Sequence, residues 1–227
     1  MARRWSDETR AEYTTAMGSE LAAVYVPLGE ALTELHHRWT LFAELYGDLG
    51  AVDVLNRAAP VLFATFRRVI ADDMMLQLSK LTDRTEIGRF HNLTIQRLPE
   101  LVVDTDLRAE VETLVATAVE ATANARQHRQ KTIAHFDLEV ALGNAVEPLP
   151  AITRNDLENA LHAVTHVLQH LEQHYRESDV DFNPVTLPKA SAALLNCLDM
   201  GLRTADARLA RLRERKPTPE DLTRPRW

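Results

Sequence analysis

The chain has 227 residues, 45% hydrophobic and 26% charged, with a formal net charge of −7 and a single cysteine, Cys197. That size supports a substantial core in one large domain or two small ones. The acidic balance argues against broad nonspecific DNA binding, and the lone cysteine rules out an intramolecular disulfide. No run of about 18 uncharged apolar residues is present to span a membrane, and the N-terminus MARRWSDETRAEY lacks the apolar core of a signal peptide. The expected location is the cytoplasm.

Ser6, followed by Asp7 and Glu8, predicts a helix start with a capping hydroxyl and acids in the first turn. Met17, Leu21, Val24, Leu28, Leu32, Leu35, Trp39, Phe42 and Tyr46 then recur at steps of three and four. They predict one face of a long helix, kinked or broken at Pro27 and ended by Gly47 and Gly50. A second helix is predicted from about Asp53 to Leu81, with Leu55, Leu62, Phe66, Val69 and Leu76 on its buried stripe. Asp73 falls on that stripe, so either it has a partner or the stripe is shifted by one residue and Asp73 lies at its edge. Thr82 to Asn92 reads as a polar loop, and Leu93 to Val103 as a short helix interrupted by Pro99.

Asp104 or Thr105 caps a third long helix carrying Leu107, Val111, Leu114, Ala118 and Ala121. Phe136 to Ile152, with Gly143, Pro148 and Pro150, reads as a loop or short turns. Thr153 and Asp156 form a capping-box pattern before a fourth helix bearing Leu157, Leu161, Val164, Leu168, Leu171 and Tyr175. A last helix spans about Lys189 to Arg215, and Pro217 to Trp227 reads as an extended tail. No segment alternates with period two. The predicted fold is all-α: an antiparallel bundle of about four long helices, residues 1–180, with an added C-terminal helix and tail, residues 181–227, packed on or beside it.

Two basic or histidine-rich features stand out from this acidic background. His162, His166, His170 and His174 follow one another at i+4 on the fourth helix. Neighbours in such a row are able to share a zinc ion, but each step drifts by about 40°. Without cysteine nearby they read as a boundary stripe, and no metal or cofactor is expected. The second feature is ARQHRQKTIAHFD, Ala125 to Asp137, which gathers Arg126, His128, Arg129, Lys131 and His135 before its first carboxylate. Cations at a helix end suit the macrodipole, which is the plain explanation. Guanidinium and ammonium groups beside an imidazole also suit a site that holds a phosphodiester and moves its protons. The basic residues from Arg203 to Lys216 read as a solvated face.

Arg129 and His135 are separated by five residues, which resembles the Arg-x(4–6)-His motif of the HEPN superfamily. RQKTIAHFD is closer still to the abortive-infection HEPN-like proteins, whose motif reads roughly Arg-(Asp/Asn)-Lys-x-x-Ala-His-x-Asp. WTLFAELYG (Trp39 to Gly47), DDMMLQLSKLTD (Asp72 to Asp83) and HNLTI (His91 to Ile95) are similar to that group's upstream blocks. The resemblance implies a helical bundle that forms a homodimer with two copies of the motif facing each other. It also implies metal-independent cleavage of RNA, with His135 as general acid or base and Arg129 holding the scissile phosphate. Arg126 and Lys131 would be further phosphate contacts. The biological setting it implies is a toxic effector of antiphage defence or of a toxin–antitoxin system with a cognate antitoxin.

On an ideal α-helix Arg129 and His135 lie roughly 120° apart. A long arginine, a frayed helix end or pairing across the dimer would close that angle. Gln130 stands where the motif has Asp or Asn. That substitution favours the alternative function, a non-catalytic helical module binding a partner protein, a nucleotide or RNA.

Overall fold

The computed structural model describes residues 5–133, 137–144, 149–182 and 190–223, with only the backbone of Ala190. Among them are ten α-helices and one two-stranded hairpin. The helices are α1 (Asp7–Met17), α2 (Ser19–Tyr46), α3 (Leu49–Ala58), α4 (Pro60–Leu81), α5 (Leu98–Leu101), α6 (Thr105–Ala121), α7 (Ala123–His128), α8 (Leu138–Ala141), α9 (Arg154–Arg176) and α10 (Ala190–Arg213). The architecture is the helical bundle expected from the periodicity. The chain divides into two compact units, residues 1–40 with 69–185 and residues 41–68 with 186–227, the boundaries falling inside α2 and α4.

In the first unit α2 lays Leu21, Tyr25, Leu28, Leu32 and Leu35 into the core. The predicted stripe on this helix holds, but its start moves. The chain breaks at Gly18, where φ is 80°, and α2 runs straight through Pro27. Only glycine reaches that φ without strain. Pro27 removes the donor to the Ala23 carbonyl, and Ala23 is exposed, so water can take its place. Below α2 lie Met74, Met75, Leu78 and Leu81 of α4, and Leu157, Leu161, Val164, Leu168 and Leu171 of α9. α6 packs along α9 through Leu107, Val111, Val115 and Ala118. Both predicted caps are present. Asp104 accepts from the amides of Asp106 and Leu107 at 2.9 Å each. Thr153 and Asp156 form the reciprocal capping box, which holds the Asp156 carboxyl below its ordinary pKa.

The predicted second helix needs correcting. It is two helices, because Pro60 drives Ala59 out of the α region to φ −159°, ψ 75°. The register of Leu55 therefore does not continue into α4. Leu62, Phe66 and Val69 are exposed, whereas Phe63, Met74, Met75, Leu78 and Leu81 are buried. Asp73 sits at the edge of that shifted stripe and pairs with Arg38 at 2.8 Å.

Glu172, in the middle of α9, is 0% exposed. Its Oε2 accepts from the Tyr25 hydroxyl at 2.9 Å and its Oε1 from Ser178 Oγ at 2.8 Å. Arg176 reaches Oε1 at 3.3 Å while its guanidinium lies 4.4 Å over the Tyr13 ring, which stacks on Trp5. Burial first, and then the Glu172 charge, push the Tyr13 hydroxyl up to about 12. One carboxylate thus ties α1, α2 and α9 together.

In the second unit α3 packs against α10, and Arg57 pairs with Asp206 at 2.6 Å. The tail also needs correcting as far as Thr223. Pro217 onward turns back through a 3-10 turn, Glu220–Leu222, and Asp221 is buried against α10. Arg211 forks onto Asp221 with bonds of 2.8 and 2.7 Å, and Arg208 donates to its backbone carbonyl. Two arginines of the basic C-terminal face are therefore used in folding the tail down, and Arg211 holds the Asp221 carboxyl far below the usual carboxylate range. Among the described residues no helix is long and apolar enough to cross a membrane.

Candidate active site

The organising stretch enters from α6 through Thr122 and continues as α7. From Arg129 to Ile133 the backbone widens into a π-helix, and the Asp137 amide then donates to the Lys131 carbonyl at 3.1 Å. π-Turns are uncommon and cluster at functional sites. The ideal-helix angle used for Arg129 and His135 does not apply to this winding. His135 itself lies outside the described residues.

Arg129 turns toward the loop after α4 and forms an ion pair with Asp83. Two tie systems hold that loop. Thr94 Oγ1 donates to the Leu81 carbonyl at 3.0 Å, and Gln96 Nε2 to the Thr82 carbonyl at 2.8 Å. Asn92 Nδ2 donates to the Arg84 carbonyl at 2.8 Å, and the Asn92 amide to the Thr85 carbonyl at 2.8 Å. The loop also contains the hairpin Glu86–Ile87 and Phe90–His91, paired 86 with 91 and 87 with 90, which reading it as a plain polar loop did not anticipate.

The second tie is Arg126. Its Nη1 donates to Thr82 Oγ1 at 2.7 Å, to Thr122 Oγ1 at 3.0 Å and to the Thr82 carbonyl at 3.2 Å, and its Nη2 donates to the Val119 carbonyl. The two hydroxyls also bond each other at 2.8 Å. Burial lowers the pKa of Arg126, with Asp83 opposing the shift and Arg129 adding to it. Four protein acceptors thus occupy a guanidinium expected from the sequence to contact phosphate, and what it does here is pin α7 to the loop bearing Asp83. Lys131 is half-buried with no side-chain hydrogen bond or ion pair among the described residues. His128 bonds the Pro150 carbonyl at 2.7 Å and so faces away from the Asp83 loop's ties.

Between the loop and α7 lies a cleft of about 620 Å³ lined by Asp83, Arg84, Ile87, Gln96, Arg126 and Gln130 among others. Asp83 is the residue that sequence reasoning missed. Its block DDMMLQLSKLTD ends on it, but nothing in composition or periodicity separates this carboxylate from the other acids of the loop. The fourth-helix histidines do not form a site. His162, His166 and His174 are exposed, His170 pairs with Glu110 at 2.8 Å, and no metal-holding cluster occurs among the described residues.

The family model HEPN AbiU2, described as AbiU2, matches residues 18–193. The chain belongs to that family. The matched span contains the Arg129 turn, the Asp83 loop and the bundle from α2 to α9. Membership of this HEPN family ties the chain to abortive infection. No curated protein and no solved structure matches it.

Proposed function

We propose that this HEPN AbiU2 protein is a metal-independent endoribonuclease, the toxic effector of an antiphage defence or toxin–antitoxin system. The observation that carries this reading is Arg129. It belongs to the motif Arg129-x5-His135 within the matched family span, and it sits on a π-wound turn oriented by a carboxylate. In the proposed reaction the ribose 2′-oxygen attacks the adjacent phosphorus and the bond to the 5′-oxygen breaks. The products are a 2′,3′-cyclic phosphate and a 5′-hydroxyl. His135 takes the proton from the 2′-hydroxyl or gives one to the departing 5′-oxygen. Arg129 stabilises the charge that grows on the non-bridging oxygens, and Lys131 adds a positioning contact to the backbone. Asp83 is the positioning residue that holds the Arg129 fork in place until a phosphate shares it.

Arg129→Lys should impair cleavage nearly as much as Arg129→Ala, each by on the order of 10²-fold. Lysine keeps the charge but loses the planar fork that spans two oxygens. Initial rates on total RNA check this, and a lysine variant that keeps most of the rate would reduce Arg129 to a distant electrostatic contributor.

One motif supplies one histidine, and acid and base roles at a phosphodiester are best served by two. We therefore expect a homodimer that brings two motifs to one cleft. Light scattering at tens of micromolar should give twice the chain mass, and a strict monomer there removes this part of the mechanism.

The rival reading, a non-catalytic module that binds a protein, nucleotide or RNA, draws on the neutralisation of Arg129 by Asp83 and on Gln130 in place of Asp or Asn. Induced expression separates the two. A ribonuclease arrests growth and is relieved by His135→Ala, whereas a binding module does neither.

A further inference from the structure

We infer that the cleft between the Asp83 loop and α7 is a nucleobase pocket, selecting bases with an exocyclic amino group over uracil. The inference rests on the ribonuclease reading only for the identity of the ligand as part of an RNA chain. Its volume of about 620 Å³ falls in the range of about 300–1,000 Å³ that small ligands occupy. Its chemistry is mixed in the way a base requires. Val119 and Ile87 supply apolar wall, and the Arg84 guanidinium supplies a flat cation on which a base can stack. Arg126 cannot serve as a second cation here, because its donors are bound to Thr82, Thr122 and Val119.

Two groups remain to read the edge of a base. Asp83 gives Oδ2 to Arg129, while its Oδ1 accepts no hydrogen bond among the described residues. Gln130 lines the same cleft, and among the described residues its amide has no partner. A carboxylate only accepts, so it favours an amino edge, and a glutamine amide complements it with one donor and one acceptor. Adenine, cytosine and guanine each present an amino group, whereas uracil presents carbonyl oxygens that a carboxylate repels. Because Asp83 also orients Arg129, a base seated here lies next to the phosphate that Arg129 is proposed to hold. The carboxylate thus couples base choice to phosphate placement.

The test uses the full chain and needs no turnover. Titration with the 5′-monophosphates of adenosine, cytidine, guanosine and uridine, followed by calorimetry, should show uridine weaker than the others by about five-fold or more. Gln130→Ala and Asp83→Asn, each checked for fold by circular dichroism, should bring the four within about two-fold of one another. Mapping of cut sites in a random-sequence RNA should show the same preference at one position flanking the cut, flattened in Gln130→Ala. Equal binding of uridine monophosphate, or no binding of any of the four, overturns the pocket even if RNA is cleaved. Selective binding that fails to compete with RNA cleavage overturns its role as an RNA subsite. Selective binding with no cleavage of any RNA upholds the pocket and removes the ribonuclease reading instead.

Discussion

His135→Ala should abolish RNA cleavage by a protein that still folds, and chelation should leave the wild type fully active. Loss of a positioned acid or base typically costs about 10²–10⁴ in rate, and in a homodimer one substitution removes both copies. The expected loss therefore lies at or beyond the upper end of that range. Insensitivity to EDTA follows from the proposed chemistry, in which arginine and lysine charge stabilises the transition state without a bound cation. The measurement is cleavage of total RNA with and without EDTA, beside circular dichroism of the variant. A folded His135→Ala protein that cleaves at the wild-type rate ends the mechanism, as does complete inhibition of the wild type by EDTA. End-group analysis adds a second check, because attack by the 2′-oxygen must leave a cyclic phosphate on one fragment and a free 5′-hydroxyl on the other.

Glu172→Ala should be among the most destabilising substitutions in the chain, on the order of 3 kcal/mol. The carboxylate has no exposure and serves the hydroxyls of Tyr25 and Ser178 as well as Arg176. Removing it strands the Tyr25 hydroxyl in the core, where its only other acceptor is the Leu168 carbonyl at 3.3 Å. It also leaves a cavity in α9 and releases Arg176 from the one partner beneath it. Glu172→Gln should cost less, because an amide oxygen still accepts from one hydroxyl. Urea denaturation checks both, read as a lower midpoint at unchanged slope. A cost below about 1 kcal/mol for the alanine variant would mean that α1 and α9 are held by packing alone. Below the midpoint, cleavage by either variant should match wild type, since Glu172 has no contact with the Asp83 loop or α7 among the residues it bonds.

The fold was legible in the sequence wherever burial acts on one face of an unbroken helix. The stripes of α2 and α9, the Asp104 cap and the Thr153 capping box all follow from local chemistry and need no partner to be read. The periodicity failed at α4, since a stripe read through Pro60 inherits the wrong register and predicted Leu62, Phe66 and Val69 inside. It failed again at Glu172, because a buried carboxylate looks like any surface acid until the hydroxyl brought to it from 147 residues away is known. The site divides in the same way. Arg129 and Lys131 were visible as a basic island, and the family blocks pointed to the Asp83 loop. The pairing of Asp83 with Arg129 and the use of Arg126 as a tie are long-range facts, 46 and 44 residues apart in the chain, that no spacing rule contains.

The π-winding of Arg129–Ile133 has a consequence for length variation in this family. A π-turn behaves as an α-turn carrying one surplus residue, stored without unravelling the helix that leads into it. Motif spacings of four to six residues are then interchangeable at low cost, since an insertion is absorbed in the girth of one turn. Deleting Thr132 would use up that store. The turn would tighten to α pitch, and everything after it would rotate by about 100° relative to α7. The slack in this turn thus lets the motif change length while the arginine stays where Asp83 can meet it.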